Sequence, residues 1–192
     1  MTKFHDFLID PETEKLLGWN RQSAELDTAV LEASDWGELK RKIGEERESK
    51  DLIAFNSEND ELAVKASEDP RIDILIYRSE ETINHVIAKK ASENSIQIGF
   101  SLKQLHDSQN KSVILKTWSD SIQILEKFDT QYLITTEAEK SSDIRPPRDL
   151  SALITELEGD GKKAVSKNPL KLLKKVESRE KDSFARPGVE KE

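Results

Sequence analysis

The stretch RIDILIY, residues 71–77, decides the fold class of the chain. Its aliphatic and β-branched residues form a nearly continuous apolar run, the pattern of a short strand that is buried on both faces. The block before it, NDELAVKASEDP, has helical spacing of its apolar residues and ends at Pro70, which stops a helix. A helix followed at once by a buried strand is the repeating unit of an α/β protein with a parallel sheet.

The same unit recurs along most of the chain. The other predicted strands are FHDFLI (4–9), AELDTAVL (24–31), DLIAFN (51–56), IQIGFSL (96–102) and QYLITT (131–136). Their starts lie roughly twenty to thirty residues apart, which is the size of a crossover with its helix. This spacing leaves two architectures open, an open doubly wound sheet or a TIM-like barrel with fewer than eight units.

Amphipathic helices are predicted between these strands. A short helix follows Pro11, a second is capped by Ser34 or Asp35, the helix that Pro70 stops is the third, and a fourth is capped by Ser79. The longest predicted helix, 111–129, carries one apolar stripe that consists of Val113, Ile114, Trp118, Ile122 and Leu125.

Composition favours a folded domain with a heavily charged surface, since the 192 residues are 35% hydrophobic and 35% charged. We expect one domain over residues 1–177 and a mobile tail over 178–192, which has no periodic apolar face. The absence of cysteine excludes disulfides and thiolate sites. The chain shows neither the pattern of a signal peptide nor an apolar run that could span a bilayer, so we expect a cytoplasmic protein with no membrane partner.

The net charge of −8 hides an asymmetry along the chain. Residues 159–192 hold ten Lys and Arg against six Asp and Glu, a net charge of +4, which leaves −12 on residues 1–158. Residues 12–70 alone hold eight Lys and Arg against sixteen Asp and Glu. An acidic surface of this kind repels RNA phosphates, so it must face solvent or a basic partner protein.

Groups suited to catalysis are few. His5 beside Asp6 offers at most two ligands for a metal ion, and no HxH, HExxH or CxxC spacing occurs. None of the seven glycines belongs to a phosphate-binding GxGxxG or GxxxxGK[ST] loop. We therefore predict no catalytic residue and no metal ligand in the chain.

Two basic segments stand out near the C-terminus. In IRPPRDL, residues 144–150, Arg145 and Arg148 flank two prolines at a helix start, where backbone N–H groups and the helix dipole favour a phosphate. The two arginines could clamp a phosphate, or they could instead pair with Asp143 or Asp149. The residues alone do not choose between these two readings.

The second basic segment is GKKAVSKNPLKLLKK, residues 161–175. It predicts two short helices, with Asn168 as the N-cap and Pro169 as the first residue of the second helix. Its lysines alternate with apolar residues, so we expect an apolar stripe that packs on the domain and lysines that lie in water, where they can face RNA.

These two segments together resemble the C-terminal signature of protein component 3 of archaeal ribonuclease P, a relative of the eukaryotic thirty-kilodalton subunit. That family has a block of the form [LI]R-S-P-x-D, which matches Ile144–Leu150 with Pro146 in place of the usual serine, and then A-V-S-x-N-P-x-x-[LI][LI], which matches Ala164–Leu173. Upstream, ELAVKASEDPRIDILIY is similar to the family's A…DRVDIIS region. FHDFLI is similar to its first strand, usually F[YH]DLH.

The resemblance implies a distorted TIM-like barrel of parallel strands with surrounding helices. It also implies a non-catalytic subunit of a cytoplasmic ribonucleoprotein that removes 5′ leaders from precursor tRNA, in which the RNA is the catalyst and holds the magnesium ions. The expected partners are the ribonuclease P RNA, protein component 2 and the other subunits of the complex. The alternative is a stand-alone metal-dependent phosphoesterase of a related barrel type. That alternative needs a metal near His5 and Asp6, and Phe7 replaces the second histidine of its HxH motif.

The residues assigned to this function are basic or turn-forming. We predict contacts with RNA or the ribonucleoprotein from Arg145, Arg148, Lys162, Lys163, Lys167 and Lys171. The turns that position these side chains are predicted at Pro146, Asn168 and Pro169.

Overall fold

Five parallel strands form the sheet, and they lie side by side in the order in which they occur in the chain. They are β1 (Thr28–Leu31), β2 (Leu52–Ser57), β3 (Ile74–Tyr77), β4 (Gln97–Ser101) and β5 (Tyr132–Thr135). The computed structural model describes residues 3–9 and 16–179, together with the short antiparallel strands β6 (Phe184–Arg186) and β7 (Val189–Glu190). Most of the predicted tail, 178–192, and most of the helix predicted after Pro11 lie outside the described residues.

The strand order identifies the architecture as barrel-like. A doubly wound sheet reverses its strand order at a switch point, whereas a barrel adds each new strand to the same edge. The predicted TIM-like class is thereby confirmed. The barrel is open, because among the described residues β1 pairs only with β2 and β5 pairs only with β4.

Helices follow the strands as the sequence predicts. In the described part of the chain they are α1 (Arg21–Ala24), α2 (Trp36–Glu46), α3 (Asp60–Ser67), α4 (His85–Glu93), α5 (Leu102–Asp107), α6 (Lys111–Lys127), α7 (Pro147–Glu156) and α8 (Asn168–Arg179), the last preceded by a π-turn (Lys163–Lys167). Asp35 caps α2, since its side chain accepts a hydrogen bond from the Glu38 N–H at 2.9 Å. None of the described helices is both long and apolar enough to cross a bilayer.

Two predicted helix features differ from the structure. The fourth helix is predicted to begin at Ser79, but α4 begins after Asn84, whose side chain accepts a hydrogen bond from the Val86 N–H at 2.8 Å. The intervening loop is held by α6 instead, through the Ser121 hydroxyl, which accepts a hydrogen bond from the Ile83 N–H at 3.0 Å. Val113, predicted on the buried stripe of α6, is 39% exposed.

The first predicted strand, 4–9, is wrong. Residues 3–9 form no strand, and a side chain rather than a backbone ladder attaches them to the sheet. The carboxylate of Asp6 accepts hydrogen bonds from the Thr135 hydroxyl at 2.6 Å, the Thr136 hydroxyl at 2.8 Å and the Thr136 N–H at 2.8 Å. Segment 3–9 therefore meets the C-terminal end of β5 without extending the sheet.

The two faces of the sheet are covered differently. The outer face packs against the connecting helices in one large apolar cluster. The inner face, which would line a closed barrel, is filled from one side by Phe7 and from another by Leu172 and Val176 of α8. Burying side chains of this size stabilises the fold by about 1.5–3 kcal/mol each. The C-terminal helix is thus part of the barrel core.

Candidate nucleic-acid interface

Residues 161–179 form one helical run in spite of the proline in their middle. Pro169 has no N–H, so the carbonyl of Val165 loses the donor that an α-helix would supply. The His5 N–H replaces it at 3.0 Å. The helix relieves the remaining strain by widening to a π-turn, in which the Asn168 N–H bonds to the Lys163 carbonyl five residues back.

Asn168 does not have the predicted N-cap role. Its backbone is helical, with φ −71° and ψ −49°, and its side chain is buried. The side-chain amide donates to the Tyr132 carbonyl at 2.8 Å, and the Asn168 carbonyl accepts from the Gln97 amide at 2.6 Å. Asn168 and Pro169 therefore do not form a turn between two helices. Asn168 fixes one continuous helix to the N-terminal ends of β4 and β5.

Helix α8 continues across the N-terminal ends of the strands, where it meets a buried carboxylate. Asp73, immediately before β3, has no exposed surface. It accepts hydrogen bonds from Arg47 at 2.7 Å and Arg179 at 2.7 Å, and Lys175 lies 2.9 Å away. Burial would raise the pKa of Asp73, but the charges of Lys175 and Arg179 outweigh it and hold the pKa below its ordinary value. Asp73 is thus ionised and anchors α8.

The other lysines of this helical run point away from the sheet. We call the set Lys163, Lys167, Lys171 and Lys174 the lysine stripe, since all four are exposed and follow each other at helical spacing. Lys163 lies 3.7 Å from Asp160. The amino groups of the other three make no hydrogen bond or ion pair with any residue that the structure describes. These charges are therefore available to a polyanion.

The predicted candidates Lys162, Lys163, Lys167 and Lys171 are all exposed along this run. Lys174 was missed as a candidate, and Lys175, its neighbour, points inward to Asp73. The helical period could have separated these two lysines, because Lys174 lies about two turns after Lys167, whereas Lys175 is rotated towards the buried residues Leu172 and Val176.

The second basic segment lies at the start of α7. Pro147 is the first helical residue and Pro146 precedes it, as predicted for a helix entrance. Arg145 donates to the carbonyls of Ser142 and Ile144, both at 3.0 Å, while Arg148 is exposed. Within the described residues neither arginine forms an ion pair, so the alternative pairing with Asp143 or Asp149 is not found.

The two basic segments belong to one packed unit. Gly161 lies so close to α7 that a Cβ at this position would be 1.9 Å from the Ser151 carbonyl oxygen. The glycine therefore permits direct backbone contact between α7 and the helical run. Arg148 and the lysine stripe are therefore carried by two helices in direct contact.

The residues His5 and Asp6 do not fit a metal site. Both oxygens of Asp6 accept hydrogen bonds from Thr135 and Thr136, and both residues are buried. Burial and the nearby Lys3 lower the pKa of His5, and Phe7 packs in the barrel interior. Among the described residues no group of three or more His, Cys, Asp or Glu side chains could hold a metal ion.

The C-terminal ends of β1, β2 and β3 have the opposite charge. The segments that follow these strands directly, 32–38, 58–61 and 78–84, contain one arginine, Arg78, and eight acidic residues: Glu32, Asp35, Glu38, Glu58, Asp60, Glu61, Glu80 and Glu81. Arg78 is itself neutralised, since it donates to both carboxylate oxygens of Glu137 at 2.8 Å. Barrel enzymes place their active sites at this end. Here its charge disfavours nucleic acid.

Fold and site together define an open α/β barrel with exposed cations on its C-terminal helices. The family model described as RNase P subunit p30 matches residues 28–181, and the chain belongs to this family.

Individual relatives carry the same name. The chain is 30% identical over 171 residues to ribonuclease P protein component 3 of Methanococcoides burtonii, covering 85% of this chain and 70% of the relative. It is 29% identical over 156 residues to the component 3 of Methanosarcina mazei, covering 77% and 64%. The chain thus spans about two thirds of the length of these relatives.

The fold also matches a solved structure. A chain in the cryo-EM structure of archaeal ribonuclease P with mature tRNA superposes with a TM-score of 0.76 at 22% identity, covering 86% of this chain and 74% of that chain.

Proposed function

We propose that this chain is a non-catalytic protein subunit of ribonuclease P and supports RNA-catalysed removal of the 5′ leader from precursor tRNA. The observation that carries the proposal is the family match over residues 28–181, which includes both basic segments. In this role the protein binds and positions, while the RNA holds the magnesium ions and performs the chemistry. The complex works in the cytoplasm.

The charges on the protein decide which side faces RNA. Lys167, Lys171 and Arg148 are exposed cations without partners among the described residues, and each can neutralise a phosphate. Ion pairs of this kind weaken as salt rises, because binding releases counterions from the RNA. RNA therefore meets the start of α7, which follows β5, and the lysine stripe, whereas the acidic segments that follow β1, β2 and β3 point away from it.

The proposed function also requires protein partners. We assign protein component 2 and the other subunits of the complex as partners. The acidic segments repel RNA phosphates at long range, so they are available to a basic protein surface and not to RNA.

Reconstitution tests the function. The RNA subunit and the remaining protein subunits are assembled with and without the full chain, and precursor tRNA cleavage is measured at modest magnesium concentration. We expect the chain to raise the cleavage rate. Equal rates with and without the chain contradict the proposal, as does leader removal or phosphodiester hydrolysis by the purified chain without RNA.

A further inference from the structure

The barrel has a cleft on the side where its sheet ends. The cleft has a volume of about 620 Å³ and lies between segment 3–9 and β1. We call it the open cleft and define it by the apolar residues Phe7, Leu26 and Val30 and the acidic residues Glu25, Asp27 and Glu32.

The exposure of Val30 shows that the inner face of the sheet is not fully covered at β1. In the parallel register Val30 lies next to Ala54 of β2, and both side chains point to the inner face. Ala54 is fully buried, as the inner face of a barrel requires, whereas Val30 is 46% exposed. An apolar strand residue left this open beside a fully buried neighbour marks a place where a partner can pack.

The edge of β1 can supply backbone hydrogen bonds. Its backbone N–H and C=O groups pair with β2 on one side, and among the described residues nothing pairs with them on the other. Unpaired groups of this kind are a template for an added strand. A segment bound there would be extended, and its alternate side chains would reach Val30 and the barrel interior.

The acidic residues of the open cleft favour a bound segment with positive charge. Glu32 is exposed and makes no ion pair with a described residue, and Glu25 has only Arg21 at 4.0 Å, both exposed. Two cations line the cleft, and both are already paired: Arg78 with Glu137 at 2.8 Å and Lys103 with Glu139 at 2.5 Å. Nearby, Lys50 pairs with Asp27 at 2.9 Å, and Lys42 donates to the Glu32 backbone carbonyl at 2.7 Å. Complementary charge therefore favours Lys and Arg in the bound segment.

The chain's own remaining segments do not have this composition. Residues 10–15, DPETEK, hold three acidic residues and one lysine. Residues 180–192 hold four acidic and three basic residues. Neither is net positive, so the occupant is sought outside this chain.

We propose that the open cleft docks an extended, lysine- or arginine-rich segment of a partner protein, which pairs with the free edge of β1 and covers Val30. The added strand supplies backbone hydrogen bonds to β1 and apolar side chains to the inner face. Its basic side chains lie over Glu25 and Glu32.

A peptide probe tests the proposal on the full chain. The probe is a short capped peptide of alternating valine and lysine, and binding is measured by fluorescence anisotropy. Two control peptides separate the contribution of charge from that of backbone hydrogen bonds. One has glutamate in place of lysine, and the other is N-methylated on alternate residues so that one edge cannot donate hydrogen bonds. We expect both controls to bind at least about tenfold more weakly.

A matched pair of protein variants locates the site. Val30→Lys puts a cation at the open cleft, and Val113→Lys makes the same change on α6, where the valine is 39% exposed. We expect the first to weaken binding of the valine–lysine peptide at least about tenfold and the second to leave it unchanged. Hydrogen exchange of the wild-type chain gives an independent readout, in which the peptide slows exchange of the amides of residues 28–31.

Several outcomes would overturn the proposal. They are no peptide binding, equal binding by the N-methylated peptide, or equal binding by Val30→Lys. A dimer of this chain in light scattering that Val30→Lys dissociates would assign the cleft to a second copy instead. Slow exchange of residues 28–31 without any peptide would assign it to the chain's own segments.

Discussion

The two ends of the sheet differ in the charged residues that lie there. At the N-terminal end α8 crosses the barrel, and its cations divide between the buried Asp73 and solvent. At the C-terminal ends of β1, β2 and β3 the loops are acidic, and part of that acidity has a structural reason. In a parallel α/β fold the connecting helices begin at this end, and Glu38, Asp60 and Glu61 lie in the first turns of α2 and α3, where the helix dipole stabilises negative charge.

In the proposed function, this fold uses a different surface from the one that barrel enzymes use. The end that barrel enzymes use for catalysis is here unsuitable for a phosphate, and the cations lie on C-terminal helices that also build the core. In the proposed function, stability and RNA binding thus depend on opposite faces of the same helical run. The following predictions separate the two faces, in order of expected effect.

The largest effect is expected at the buried carboxylate. Asp73→Ala leaves Arg47, Lys175 and Arg179 without their anion, and removing one partner of a buried ion pair costs about 3–5 kcal/mol. Urea denaturation measures the loss in the free energy of unfolding. Asp120→Ala, which removes an exposed pair with Lys116, should cost less than about 1 kcal/mol. Equal losses would show that Asp73 is not the anchor.

The stabilisation by Asp73 has a defined pH dependence. Because the folded-state pKa of Asp73 lies below its ordinary value of 3.8, the ionised carboxylate stabilises the fold at every pH above that value. The contribution is lost as the pH falls through the lowered folded-state pKa. The difference in unfolding free energy between wild type and Asp73→Asn should stay constant from neutral pH to about pH 5 and shrink only in stronger acid. A difference that shrinks near neutral pH would contradict this account.

The next effect is expected where α7 touches the helical run. Gly161→Ala places a methyl group 1.9 Å from the Ser151 carbonyl oxygen, so the backbone must shift, at a cost of about 1–3 kcal/mol. Gly44→Ala is the matched control, because nothing lies within 4 Å of its added Cβ in α2. It should stabilise the chain by about 0.5–1 kcal/mol. Thermal unfolding of both variants checks the opposite signs.

A smaller effect, without loss of stability, is expected from the lysine stripe. The triple variant Lys167→Glu, Lys171→Glu and Lys174→Glu should lower precursor tRNA cleavage by the reconstituted complex about tenfold at physiological salt, with a shallower dependence on salt. The control is an equal charge change at the exposed Lys40, Lys65 and Lys127. Equal losses from both sets would mean that overall charge, and not the stripe, matters.

The smallest effect separates two adjacent lysines. Lys175→Ala removes a cation that lies 2.9 Å from Asp73, while two arginines still neutralise the carboxylate, so a loss of about 1 kcal/mol is expected in urea denaturation. Lys174→Ala should change the unfolding free energy by less than about 0.5 kcal/mol. Indistinguishable variants would contradict the division of the helix into two faces.

The fold class could be predicted from the sequence because the buried strands are short apolar runs between amphipathic helices. RIDILIY became β3, and four of the other five strands were confirmed with shifted ends. FHDFLI has the same apolar character, yet its attachment depends on Asp6 and two threonines about 130 residues away, as pairs such as Thr136–Asp6 show. No local pattern contains that information.

The candidate site could be predicted in part. Exposed lysines follow from helical spacing, and Arg148 follows from the helix entrance. The failure at Asn168 has a physical reason, since Asn-Pro is a strong helix-start signal that tertiary contacts overrode. Because Pro169 has no N–H, the Val165 carbonyl accepts its hydrogen bond from the His5 N–H instead. The sequence does not show that His5 and Val165 are neighbours in the fold.

One measurement tests most directly which face of this protein meets RNA. Leu170 is 37% exposed between the lysines of the stripe, and Val30 is 46% exposed in the open cleft. Each is replaced in turn by the photocrosslinking residue benzoylphenylalanine, which leaves all charges in place, and the reconstituted complex is irradiated. We expect RNA to crosslink to position 170 and not to position 30. Crosslinks to RNA from position 30, with none from position 170, would contradict the account.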